Sequence, residues 1–147
     1  MCKKISIIEE NDLRECAKIY VDIFNAEPWN DKWTEGTAFN RLRDIYCSPN
    51  FMGVKYTMEG GIKGAVFGNC EQWYEGMHFN VKEMFVTTDL QGKGIGTQLL
   101  KNIEEAVKDV DVRAIILFTE KDCKTDDFYR KNGFGELDFM AMLEKSI

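Results

Sequence analysis

Several absences narrow the possibilities for this 147-residue sequence before any motif is considered. No run approaches the ~18 consecutive apolar residues of a membrane-spanning helix, so no membrane association is expected. The opening stretch MCKKISIIEEND turns acidic after a few apolar positions and has no signal-peptide core, which points to the cytoplasm. Lys and Arg number 19 against 25 Asp and Glu, a net charge of −6. No basic stripe is present, so nucleic acid is not an expected partner. The cysteines (Cys2, Cys16, Cys47, Cys70 and Cys123) are five in number and dispersed, with no C-x-x-C pair. That argues for reduced thiols and against structural zinc, and no metal is expected. No linker, internal repeat or low-complexity tract interrupts the chain, so one domain spanning 1–147 is expected.

What is present is a core-forming chain, 44% hydrophobic and 12% aromatic. KKISIIEE reads as an opening strand. Asp12 and Glu15 have the spacing of a capping box, and Leu13, Cys16, Ala17, Tyr20 and Phe24 mark one face of a helix that Pro28 ends. Thr34 can cap a second helix with Phe39, Leu42, Ile45 and Tyr46 on its apolar side. MGVKYTM and IKGAVFGNC read as strands joined at Gly60-Gly61, followed by the longer strand HFNVKEMFVTT. Ile95, Leu99, Leu100, Ile103 and Val107 give the next helix. VRAIILFT has the continuous apolar character of a central strand buried on both faces. DDFYRKNG reads as a short helix stopped at Gly133, and FMAMLEK as a final strand. The order β α α β β β α β α β describes a mixed α/β (α+β) domain with an antiparallel meander and a partly parallel end.

The stretch DLQGKGIG, residues 89–96, places three glycines immediately before a good helix, although glycine costs a helix about 1 kcal/mol against alanine. A strand, a glycine-rich turn and a helix start together form an anion site. The first helical N–H groups lack partners, the dipole adds positive character, and glycine lets a phosphate approach the backbone. The P-loop spacing is broken by Gly92-Lys93-Gly94, and the third glycine comes one residue early for a Rossmann loop. A nucleotide-binding switch protein is thereby disfavoured.

The spacing that fits is Q-x-x-G-x-G, at Gln91, Gly94 and Gly96. With the upstream strand EMFVTT, the late element Phe128-Tyr129-Arg130-Lys131-Asn132-Gly133-Phe134 and the element order, it resembles the GNAT superfamily of acetyl-CoA-dependent N-acetyltransferases. The resemblance implies a mostly antiparallel sheet of six to seven strands, with helices on both faces and splayed central strands. It implies acetyl-CoA as cosubstrate and acyl transfer by direct attack of an amine. Pantetheine would lie in the splay, bonded to main-chain groups of Phe85, Val86 and Thr87. Gln91 and Gly92 belong to the pyrophosphate loop, and the amides of Lys93, Gly94, Ile95, Gly96 and Thr97 would hold the pyrophosphate. Lys93 is either a cation beside phosphate or a solvated loop lysine. An asparagine that often contacts the cofactor is replaced here by Asp122, whose charge is awkward beside an anion; Thr125 is acceptably small.

An alkylammonium, with a pKa near ~10.4, must lose a proton before it can attack. The family's late-helix tyrosine, which donates a proton to the departing sulfur, corresponds to Tyr129; the alternative is a tyrosine that only packs on the cofactor. For the base, strand alternation puts Phe79, Val81, Glu83 and Phe85 on one face and singles out Glu83. A glutamate that some relatives carry on the following strand is Leu117 here. His78, the only histidine, and a water chain are the alternatives.

The joint FNAEPWNDKW borders the acceptor pocket in relatives. Glu27 and Asp31 with Trp29 and Trp33 suit an ammonium group through charge and cation–π contact, unless the tryptophans only tie the two helices together. Trp73 and Tyr74 offer a further wall. The joint resembles that of the ribosomal-protein N-terminal acetyltransferases, and the aminoglycoside acetyltransferases are a second branch. A small-molecule amine is the expected acceptor, with a peptide or protein amine second and a non-catalytic acyl-CoA sensor as the reading from another class. A homodimer is a possible assembly.

Overall fold

The structure, a computed structural model, describes residues 4–147 and divides into two compact units between Leu117 and Phe118. The first unit is a five-stranded sheet in the order β1-β2-β3-β4-β5: β1 (Ile5–Ile7), β2 (Phe51–Met58), β3 (Gly61–Trp73), β4 (Gly76–Val86) and β5 (Val112–Ile116). The first four strands pair antiparallel and β5 joins β4 in parallel. The β2–β3 hairpin turns on Glu59 and Gly60, at φ 54° and 77°. Two positive φ values match the twist of a tight hairpin, so the turn falls one residue earlier than Gly60-Gly61.

Helices cover both faces. α1 (Leu13–Phe24) and α2 (Glu35–Tyr46) pack on one side, burying Leu13, Cys16, Ala17, Tyr20, Ile23, Ala38, Leu42 and Ile45 against Ala65, Phe67 and Phe85. α3 (Ile95–Lys108) covers the other, with Ile95, Leu99, Ile103 and Val107 against Val54, Val66, Phe79 and Val81. Thr34 caps α2 as expected, its Oγ1 accepting from the Thr37 amide at 3.0 Å. The box expected at the start of α1 is displaced. Glu9 and Asp12 cap the preceding 3-10 turn reciprocally, and Glu15 accepts instead from the Ile62 amide at 2.7 Å, tying α1 to β3.

Three expectations require correction. Among the described residues the sheet has five strands, not six or seven. FMAMLEK forms no strand; Phe139, Met142 and Leu143 are exposed, and an apolar run without a ladder partner is not a strand. VRAII is the last strand of its sheet rather than a central one, with Arg113 and Ala114 exposed. A continuous apolar run reports burial potential, not position in the sheet.

The second unit contains α4 (Lys124–Lys131). Its Asp126 carboxylate accepts from the Asp122 amide at 2.9 Å and from Arg130 Nε at 2.7 Å. These two bonds hold the Asp126 carboxyl below the usual carboxylate range. Gly133, at φ 92°, ends the helix.

Candidate functional site

The site begins with a defect in the β3–β4 ladder. Phe67 pairs with Glu83 and Gly68 with Val81, so Lys82 is an extra residue on β4. A β-bulge of this kind reverses the side-chain alternation beyond it. Phe79 and Val81 lie on the α3 face, whereas Phe85 lies on the α1–α2 face. The expectation that Phe79, Val81, Glu83 and Phe85 share one face is therefore corrected. Glu83 sits on the opposite face from Phe79 and Val81, because one inserted residue is half a strand period.

On that face the Glu83 carboxylate meets two partners from distant parts of the sequence. Tyr20 Oη donates to Oε2 at 2.6 Å and Arg41 Nε donates to the same oxygen at 3.1 Å. Tyr20 lies edge-on to Trp33 at 5.0 Å between ring centroids and to Phe85 at 5.8 Å, and tilts against Phe24 at 4.6 Å. Trp29 in turn packs on Phe24 at 5.0 Å. Burial, then the neighbouring carboxylate, pushes the Tyr20 hydroxyl well above the usual phenol range, so it remains a donor. Trp29 and Trp33 are thus brought to the edge of the Glu83 surroundings while also serving as core packing. Trp33 Nε1 donates to Asp31 at 3.1 Å, and Glu27 is exposed on the same joint.

Trp73 and His78 are not brought there. They stack at 5.0 Å near the hairpin end of β4, and Trp73 pairs with Gly76. At ~3.3 Å per residue, Gly76 lies roughly 20 Å along the strand from Glu83. Tyr74, in the same hairpin, is 92% exposed.

The bulge also accompanies the end of the β4–β5 pairing. β5 pairs only with Met77–Asn80, so among the described residues Val81–Val86 has no strand partner on that edge. The Thr87 amide donates to Lys63 O at 2.8 Å, toward β3. Successive residues direct their main-chain groups to opposite edges, so Met84 and Val86 face the open one. Of the three positions expected to meet pantetheine, Val86 faces the gap by this alternation, whereas Phe85 and Thr87 face β3.

The glycine turn follows directly. Gln91 Nε2 donates to Val86 O at 3.0 Å and closes the turn onto the strand. Gly92 and Gly94 have φ 77° and 84°, a region costly to residues with a Cβ, and a Cβ on either would project into open space. Gly94 is the N-cap of α3 and no side chain caps that end; the first turn contains no acidic residue. The first main-chain bond is from Gln98 N to Gly94 O at 3.1 Å, leaving the Ile95, Gly96 and Thr97 amides without helical partners. Lys93 is exposed beside them. These features fit a diphosphate. Between α1 and this turn lies a cleft of about 330 Å³ lined by Ile19, Asp22, Ile23, Thr87, Thr88 and Asp89. Thr87 Oγ1 is buried with no hydrogen-bond partner among the described residues.

In the second unit Tyr129 is 8% exposed, its ring against Phe128 at 5.2 Å and Phe134 at 5.5 Å. Asp122 sits at φ 58° and uses its amide to cap Asp126. The sequence reading did not single out Tyr20 and Arg41, which the structure brings to Glu83. Tyr20 does leave a trace: a tyrosine on an otherwise apolar helix face needs an acceptor for its hydroxyl. Arg41 leaves none. Among the described residues no cluster suited to a metal ion is found, and no helix is long and apolar enough to cross a membrane.

A bulged strand, an open strand edge and an uncapped glycine turn thus follow one another from β4 into α3. A profile of the acetyltransferase (GNAT) domain matches residues 54–136, and the chain belongs to that family. Comparison with curated proteins gives no match. Among solved structures, a possible acetyltransferase from Clostridium difficile 630 superposes with a TM-score of 0.81 at 18% identity, covering 97% of this chain and 96% of that one. An aminoglycoside acetyltransferase from an uncultured soil metagenomic sample, in complex with sisomicin, gives 0.75 at 18% identity, over 98% and 95%. The ribosomal-protein-alanine N-acetyltransferase from Brucella melitensis biovar Abortus 2308 gives 0.76 at 14% identity, over 97% of both chains.

Proposed function

We propose that this protein transfers an acetyl group from acetyl-CoA to a primary amine of a small molecule by direct attack. Acetyl-CoA supplies the acyl group as a thioester. The Ile95, Gly96 and Thr97 amides, aided by Lys93, hold its diphosphate, and the main chain of Val86 holds its pantetheine arm. Glu83 takes the proton from the acceptor ammonium. The amine nitrogen then forms its bond to the acyl carbon as the carbon–sulfur bond breaks, and the Tyr129 hydroxyl gives its proton to the departing sulfur; the nitrogen sheds its second proton to water to leave the neutral amide, and water reprotonates Tyr129. Tyr129 holds this role through the F-Y-x-x-x-G-F motif, with Asp122 as a secondary cofactor contact. Trp29, Trp33, Glu27 and Asp31 form the acceptor side.

The observation that best supports the reading is the Lys82 bulge. One inserted residue accompanies an open β4 edge and turns Glu83 toward a wall of aromatic side chains that suits a cation. An acetyl-CoA turnover assay with a thiol-detecting dye over a panel of small amines and peptides tests it. Thiol release with small amines is expected. Release only with peptides would move the acceptor class to protein N-termini or lysines. Silence throughout, with tight coenzyme A binding, would make the protein a sensor.

A further inference from the structure

We propose that Tyr20 and Arg41 are positioning residues for Glu83, fixing one carboxylate oxygen so that the other is presented to the acceptor amine. This rests on the reading of Glu83 as the base. Both partners converge on Oε2, at 2.6 and 3.1 Å, and among the described residues Oε1 accepts no hydrogen bond. The arrangement is asymmetric in a way that suits proton transfer: one oxygen is tethered and the other keeps its lone pairs.

The two tethers differ in kind. Tyr20 is 3% exposed and boxed by Phe24, Trp33 and Phe85, so its hydroxyl has a fixed address. Arg41 comes from the rim of α2, and its second nitrogen, Nη2, donates to the carbonyl of Lys82 at 3.4 Å. Arg41 therefore clamps the bulge residue and the carboxylate next to it with one guanidinium. The ionisable groups bonded to Glu83 are Tyr20 from α1 and Arg41 from α2; across the ladder it meets the apolar Phe67. A carboxylate with a donor and a cation on one oxygen is held in one orientation; without them it rotates.

The alternative is that the triad merely ties α1 and α2 to β4. The two roles separate in the split of kcat against KM and in rescue by the conservative variant. Wild type, Tyr20→Phe, Arg41→Gln, Arg41→Lys and Glu83→Gln are compared with acetyl-CoA and a responsive amine, each with its melting temperature. Expected for Tyr20→Phe and Arg41→Gln is a kcat lower by about 10-fold, the scale of losing an orienting partner. KM for acetyl-CoA should stay unchanged, while Arg41→Lys recovers part of the rate. Glu83→Gln should lose more of the rate than either. If Glu83→Gln loses the rate but Tyr20→Phe and Arg41→Gln keep it, the base survives and the positioning role is overturned. If Glu83→Gln itself keeps the rate, the base assignment falls and the positioning role with it. Should Tyr20→Phe fail to fold, the exposed Arg41 pair decides alone.

Discussion

A Cβ placed on Gly68 would collide with the carbonyl oxygen of Asn80 and with the Phe79 ring. Gly68 stands on β3 beside the bulge, and the atom it would strike is main chain, which cannot swing aside as a flexible side chain would. Gly68→Ala is therefore expected to destabilise the fold by about 1–3 kcal/mol, the usual range for overpacking. It should also weaken coenzyme A binding by disturbing the open edge. Urea denaturation and calorimetric titration measure the two effects. A neutral outcome in both would mean that the bulge does not depend on this close approach.

Gly94→Val tests the turn. Gly94 lies at φ 84°, where a β-branched residue costs about 1–2 kcal/mol in backbone strain, and its Cβ position projects into the space beside the α3 amides. The dissociation constant for coenzyme A should rise at least ~10-fold, because a branched side chain keeps the diphosphate off the backbone. Unchanged binding would remove the turn from the cofactor site.

Tyr129→Phe keeps the ring that packs on Phe128 and Phe134 and deletes only the hydroxyl. Turnover should fall by about 10²-fold or more with little change in cofactor affinity, the signature of a lost general acid. Steady-state kinetics beside direct binding would show it. Equal turnover would remove Tyr129 from the reaction.

Stability should decline in alkaline solution for a reason located in α1. Burial, then Asp12 and Glu15, pushes the Cys16 thiol up to about 12 from an ordinary 9.0. The unfolded chain releases this proton first, so above pH 9 it binds fewer protons than the native state. The stability Cys16 contributes is complete below that point and is lost as the pH climbs toward about 12, at a slope of up to ~1.4 kcal/mol per pH unit. Urea melts at pH 8 and pH 10.5 should show a larger loss for wild type than for Cys16→Ala. Equal losses would mean that the thiolate is tolerated in place.

Much of the framework was legible along the chain. The buried face of α3 is the one its spacing predicts, and Thr34 caps α2 where a cap was expected. The Glu9–Asp12 box and the Glu15–Ile62 bond were less legible, because two nearby carboxylates offered the same local signal and a tertiary contact decided between them. The final strand failed for a related reason: the apolar run in FMAMLEK describes a segment able to pair, and pairing needs an edge.

The sequence by itself determined what depends on a few neighbouring residues: the buried face of α3, the Thr34 cap, the glycine turn before α3 and the tyrosine motif that marks the family. Those are matters of local sterics and periodicity. Only the tertiary structure decided which face Glu83 occupies and what holds it there. The bulge at Lys82 is a register relation between two strands, and Tyr20 and Arg41 reach Glu83 from 63 and 42 residues away. A carboxylate oxygen shared by two distant donors is a product of helix-on-sheet packing, and no spacing within a single strand encodes it.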